Sequence, residues 1–141
     1  DLEELCGKCE IIFQVTPSIH FRNVIKLMAP YLRPHHIIIH GTKGFDLLAG
    51  EYSTDYTYDD FELCDVKTMS EVILEETDVV RVGALCGPNL SSEILAGLPT
   101  ATVIASEFDE VIKAGQKAVS GERFFVFGSH DLALTISELQ N

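Results

Sequence analysis

The sequence predicts an α/β fold with a mostly parallel sheet flanked by helices. Three observations predict it. Short apolar runs of strand length recur along the 141 residues. Most are followed by segments with apolar residues at helical spacing. Glycine or proline closes most of the runs. Strand–helix alternation at such intervals implies a layered sheet with right-handed crossovers. The length suits one domain with a real core.

The elements follow in order. Residues 1–8 read as the end of a helix, with Gly7 near its stop. EIIFQVTP is a buried strand closed by Pro17. SIHFRNVIKLMAPYL carries Ile19, Phe21, Val24, Ile25, Leu27 and Met28 at helical period, with Ser18 available as N-cap. HHIIIHGTKG is a second strand with a β-branched centre and a glycine stop. EYSTDYTYDDFELCD, residues 51–65, breaks the rhythm with six carboxylates and no Lys or Arg, and reads as an acidic insertion or solvated loop. It lacks the alternating Asp/Asn and the glycine of a calcium loop.

TMSEVILEET then reads as a helix, VVRVGALCGP as a third strand, and NLSSEILAG as a short helix ended by Gly97. PTATVIAS is a fourth strand. EFDEVIKAGQKAVSG is a helix capped by Ser106 or Asp109. RFFVFGS is a fifth strand, and DLALTISELQN opens a further helix. No internal repeat or low-complexity segment interrupts this order.

Composition narrows the function. The net charge of −12 argues against nucleic acid and anionic membrane surfaces, because no basic stripe offsets the field. A small phosphate remains compatible, since charges beyond roughly 8 Å are screened at physiological salt. No apolar run is long enough for a membrane-spanning helix. The acidic N-terminus resembles neither a signal nor a transit peptide. Residue 1 is not Met and falls within a helical pattern, so a piece of a longer or processed chain is expected. Four cysteines (Cys6, Cys9, Cys64 and Cys86) are expected as free thiols of a cytoplasmic protein. CGKC follows a helix and precedes a strand, the reverse of a thioredoxin-type motif, and no second pair completes a zinc site. His20, His35, His36 and His40 read as ordinary polar residues, and no metal is expected.

In parallel sheets, ligands bind beyond the carboxyl ends of the strands. Three predicted strand ends carry small or polar residues there: Thr16-Pro17-Ser18, Gly41-Thr42-Lys43-Gly44 and Gly87-Pro88-Asn89, the last followed by Ser91. If the strands are neighbours, these loops share a rim. Two of them would start helices whose free N–H groups favour an anion. Lys43 is the cation of this rim, and its flanking glycines let a ligand approach. Asn89 reads as an N-cap with a second polar atom to offer. Neither a GxGxxG fingerprint nor a P-loop is present. Spacing alone therefore stops at half of an α/β domain with an anion-friendly rim.

Four ordered motifs go further. CGPNLSSEILAGLPTATVIAS, FQVTPSIHFRNVI, GTKGFD and TMSEVILEET together resemble the bacterial-type NAD(P)-dependent glycerol-3-phosphate dehydrogenases. The likeness covers most of residues 1–131, interrupted by the acidic segment. It implies the second half of a Rossmann-type nucleotide-binding domain, with NAD or NADP as cofactor. The implied substrate pair is glycerol 3-phosphate and dihydroxyacetone phosphate, and a homodimer is compatible with the resemblance. The loop at Pro17, His20 and Phe21 would lie along the cofactor. Lys43 would contact substrate and cofactor, Gly87 and Asn89 the glycerol phosphate, and Ser91 the nicotinamide side.

The resemblance also places the family's glycine-rich fingerprint upstream of Asp1 and its helical domain downstream of Asn141. It aligns Gln140 with the family's catalytic lysine. An amide is no general base near neutral pH, and losing such a base typically costs about 10²–10⁴-fold in rate. These residues alone are therefore expected to be inactive. The alternatives are a non-catalytic binding or regulatory module of the same fold, and a related hydroxy-acid or sugar-phosphate dehydrogenase.

Overall fold

A computed structural model of the chain describes residues 1–47 and 66–132. The acidic segment 51–65 and the segment carrying Gln140 lie outside the described residues. The elements are α1 (Leu2–Lys8), β1 (Ile11–Gln14), α2 (Ser18–Met28), a 3₁₀ turn (Ala29–Tyr31), β2 (Ile37–His40), β3 (Phe45–Leu47) and β4 (Val66–Thr68). They continue with α3 (Met69–Glu76), β5 (Arg81–Cys86), α4 (Ser91–Leu95), β6 (Thr100–Ala105), α5 (Asp109–Val119) and β7 (Phe124–Ser129).

Five strands form the main sheet in the order β1-β2-β5-β6-β7. β1, β2 and β5 run parallel, as do β6 and β7. β6 runs antiparallel to β5. The reason is local: α4 has only five residues and does not carry the chain back along the sheet, so β6 starts at the edge where β5 ended. β3 and β4 form a separate antiparallel pair that sequence reading passed over. Strands of three residues are too short to show alternation.

Period-two alternation sends neighbouring side chains to opposite faces. Ile38 joins Ile12 and Val82 beneath Phe21, Ile25 and Met28 of α2 and Met69, Val72 and Ile73 of α3. Ile39 points the other way. There, a Cβ built on Gly115 of α5 would come within 2.8 Å of the Ile39 Cδ1 and would overlap the Ile104 Cδ1. Gly115 thus lets α5 lie close on the sheet.

Polar staples tie the first layer together. Arg22 of α2 donates to Asp46 of β3 at 2.7 Å, to Glu75 of α3 at 3.0 Å, and to Glu76. Lys67 of β4 meets the same Glu75 at 2.7 Å. Burial alone would lower the Arg22 pKa, but the bonds to these carboxylates raise it instead. Thr68 opens α3 with a complete capping box to Glu71.

The expected caps of α2 and α5 differ. α2 has Pro17 at its N-cap, with Ser18 already inside the helix. α5 has Phe108, and Ser106 sits just outside the helix, donating to the Val82 carbonyl at 2.6 Å and accepting from the Phe108 amide at 3.2 Å. α1 starts at Leu2, with Asp1 as the cap that accepts from the Glu3 amide.

Two glycine substitutions separate propensity from packing. A Cβ on Gly7 in α1 meets nothing within 4 Å, so Gly7→Ala gains helix propensity and stabilises by about 0.5–1 kcal/mol. Gly115→Ala gains the same propensity but overpacks the core, which costs about 1–3 kcal/mol, and the net effect is destabilising. Urea unfolding midpoints of the two variants should move in opposite directions.

Candidate functional site

The parallel ladder builds the rim. Gln14 of β1 pairs with His40 of β2, which pairs with Ala84 of β5. The chain leaving each strand therefore emerges at one edge. β5 continues to Cys86, two residues beyond its pairing with His40. The predicted loops at 16–18, 41–44 and 87–89 all follow these ends.

The first two loops are bound to one another. The Gly41 amide donates to the Gln14 carbonyl at 3.0 Å, and the Thr42 hydroxyl donates to the Thr16 carbonyl at 2.6 Å. The Gln14 amide donates to the Thr16 hydroxyl at 3.1 Å. Gly44 has φ +111°, a left-handed conformation that favours glycine, and a Cβ there would sit 3.4 Å from Ser18. Lys43 stands between these anchors, exposed, with no ion-pair partner among the described residues.

A buried histidine supports this loop. His40 is the last residue of β2 and is 1% exposed. Its Nε2 lies 2.7 Å from the Ser70 hydroxyl at the start of α3, and Phe21 packs edge-on to its ring at 6.0 Å. Burial pushes the His40 pKa down to about 4, opposed in part by the Thr42 backbone. Nδ1 has no hydrogen-bond partner of good geometry among the described residues.

The third loop leans on β6. A Cβ on Gly87 would lie 3.1 Å from the Ala101 carbonyl and 3.2 Å from the Thr102 Cα, so only glycine fits without displacing backbone. The Asn89 side-chain amide donates to the Thr102 hydroxyl at 2.9 Å, which donates in turn to the Cys86 carbonyl at 2.9 Å. The Asn89 Oδ1 is buried with no hydrogen-bond partner among the described residues. Asn89 is not the expected N-cap: that position is Leu90, with no side-chain bond, because Thr102 holds the asparagine instead. The five-residue α4 also gives little macrodipole for an anion. Beside this loop, a cavity of about 440 Å³ is lined by Gly87, Leu90, Thr102, Val103 and Phe127 among others.

The remaining sequence candidates are placed as follows. Pro17, His20 and Ser91 are exposed at the helix starts of this edge. Phe21 is fully buried in the core, so it seats the loop rather than facing solvent. Gln140 lies outside the described residues. His36 is buried and bonds the Cys6 carbonyl at 2.8 Å, while His35 stacks on it. Cys6 and Cys9 are free thiols. Among the described residues no cluster of three metal-ligating side chains forms, and no helix is long and apolar enough to cross a membrane.

Sequence reading missed Thr102 and the His40–Ser70 pair as parts of this edge. Thr102 looks like any β-branched strand residue. His40 and Ser70 are 30 positions apart, and nothing local in the sequence links them.

Comparison with known proteins identifies the relatives of this arrangement. Residues 1–112 match the family described as NAD-dependent glycerol-3-phosphate dehydrogenase N-terminus. Glycerol-3-phosphate dehydrogenase [NAD(P)+] of Acinetobacter baylyi is 39% identical over 132 residues, 94% of this chain and 32% of that protein. The protein of the same name from Saccharophagus degradans is 38% identical over 131 residues, 93% of this chain and 32% of that one. The chain thus spans about a third of the length of these curated relatives. The crystal structure of glycerol-3-phosphate dehydrogenase from Coxiella burnetii superposes with a TM-score of 0.74 at 29% identity, covering 94% of this chain and 35% of that one. A structure from Dunaliella salina, at 17% identity and TM-score 0.76, shares the fold over 94% of this chain and 20% of its own.

His40 makes stability depend on pH with a definite sign. The unfolded ring takes a proton near its ordinary 6.5 and the folded ring resists until about 4. Its contribution is therefore full above pH 6.5 and is lost as pH falls from 6.5 through 4, by on the order of 3 kcal/mol. His40→Gln, which cannot charge, should flatten the unfolding free energy between pH 6.5 and 4. Urea melts at half-unit intervals measure it.

Proposed function

This chain belongs to the family of NAD-dependent glycerol-3-phosphate dehydrogenase N-termini, and from that premise we propose that it is the rim-forming half of a nucleotide-binding domain. The whole protein interconverts glycerol 3-phosphate and dihydroxyacetone phosphate in this reading, with NAD or NADP. The observation that carries it is the common edge: β1, β2 and β5 run parallel, and exposed Lys43 emerges there on a loop anchored to its neighbour.

The chemistry follows from the groups at that edge. Lys43 holds the substrate by charge and reaches the cofactor. The buried Oδ1 of Asn89 is an acceptor awaiting a donor, which a glycerol hydroxyl supplies. Gly87 lets the substrate approach the backbone, since a side chain there would strike β6. Pro17, His20 and Ser91 border the cofactor from the two helix starts, and Phe21 holds the first of these from beneath. That orphaned acceptor and the exposed rim fit the substrate and nicotinamide side of the site. The residues for the pyrophosphate are absent from this sequence, which contains no glycine-rich fingerprint. The nicotinamide group, when bound, supplies the hydride acceptor or donor.

A soluble, cytoplasmic protein acting on a small phosphorylated substrate, without nucleic acid or membrane insertion, accords with the acidic surface. A homodimer is part of the same proposal. So is the domain plan, with residues 51–65 as an acidic insertion and Gln140 aligned with the family's catalytic lysine.

The test uses the 141-residue chain. Calorimetric titration with glycerol 3-phosphate should give an affinity that Lys43→Ala weakens about 10- to 100-fold, as expected for a charge-assisted bond. Turnover of dihydroxyacetone phosphate with NADH or NADPH should be undetectable. Equal affinity in the variant removes Lys43 from the site, and clear turnover contradicts the expected inactivity of these residues alone.

A further inference from the structure

We propose that the buried His40–Ser70 hydrogen bond is a positioning pair for the Lys43 loop, tying the end of β2 to the first turn of α3. The consequence for ligand binding rests on the function proposed above, whereas the positioning itself does not.

Geometry supports the pair. His40 is the last β2 residue with sheet pairing, and the chain turns away at Gly41. Lys43 lies three residues on, exposed, with no side-chain anchor of its own among the described residues. Backbone and hydroxyl bonds from Gly41 and Thr42 hold the loop laterally to β1. His40 supplies the remaining restraint, perpendicular to the sheet. Its ring projects into the layer beneath α2 and α3, where Phe21 packs on it and Ser70 bonds it. Ser70 is itself fixed, being 3% exposed and two residues after the Thr68 capping box.

An apolar residue would fill that space more simply. A half-satisfied histidine with an unpartnered Nδ1 is costly in a core, and a residue chosen only for packing would avoid that cost. What histidine adds is direction: one bond of defined geometry to a capped helix. It orients the strand end, where an apolar contact allows sliding. The charged groups on the elements packed over the ring, Arg22, Asp46, Lys67, Glu75 and Glu76 of α2, β3, β4 and α3, bond one another, and the ring's hydrogen bond goes to Ser70.

Backbone amide exchange in the 141-residue chain, read by NMR, tests the pair. In His40→Phe, which keeps an aromatic ring but loses the bond, the Gly41 amide should exchange about 10-fold faster. Ile38, Ile39, Val72 and Ile73 should shift together by less than that. Ser70→Ala should reproduce the effect, and the double variant should be no worse than either single one. His40→Gln, able to reach the hydroxyl, should restore protection to within about threefold. If His40→Phe does not fold, Ser70→Ala and His40→Gln carry the comparison, because both are small changes.

Uniform acceleration across all these amides, or additive losses in the double variant, would overturn the pair as a positioning device. The same variants titrated with glycerol 3-phosphate keep the two ideas apart. Loop loosening without any binding in the unmodified chain leaves the positioning intact and rejects the functional reading. Binding that ignores a loosened loop separates the pair from the site and overturns its role toward Lys43.

Discussion

Everything at the candidate site depends on the parallel hydrogen-bond ladder that joins β1, β2 and β5. Parallel pairing forces three successive chain exits to one edge, and the register sets their relative heights. A hairpin-connected sheet would have sent alternate exits to opposite edges and scattered Thr16, Lys43 and Asn89. The antiparallel turn at β6 uses the same logic in reverse. Because β6 starts where β5 ends, Ala101 and Thr102 lie beside Gly87 and Asn89 and finish the wall of the rim.

Buried polar groups then pin what the ladder brings together. Each sits where a loop or helix must hold one orientation: Thr102 between Asn89 and Cys86, Ser106 on the Val82 carbonyl, His36 on the Cys6 carbonyl, and His40 on Ser70. A neutral hydrogen bond contributes only about 0.5–1.5 kcal/mol net, but a buried group left unpaired costs about 1–3 kcal/mol. Such bonds therefore discriminate between arrangements more than they stabilise any one of them. The exposed Lys113–Asp109 and Lys8–Glu4 pairs do neither to a measurable degree.

The layered sheet was legible because its strands are short apolar runs, β-branched at the centre of β2 and β6, and because α2 and α5 show clear apolar periods. The rim loops were legible because glycine and proline mark the ends of β2 and β5. Three things were hidden for physical reasons. Cap geometry depends on tertiary partners: Thr102 holds the Asn89 amide, and Ser106, anchored to the Val82 carbonyl, accepts from the Phe108 amide just ahead of α5 rather than from within it. The direction of β6 depended on how far a five-residue helix can carry the chain. The His40–Ser70 contact is purely long-range, and the sequence showed His40 only as a polar residue on a strand.

The proposed function requires three loops at one sheet edge to act as one binding surface for a phosphorylated molecule. Amide chemical-shift mapping of the 141-residue chain during titration with glycerol 3-phosphate tests it most directly. Concerted, saturable shifts in residues 15–18, 41–44 and 87–91 with a single apparent affinity are expected. Shifts confined to one loop, or centred on the α5 face of the sheet, would contradict it.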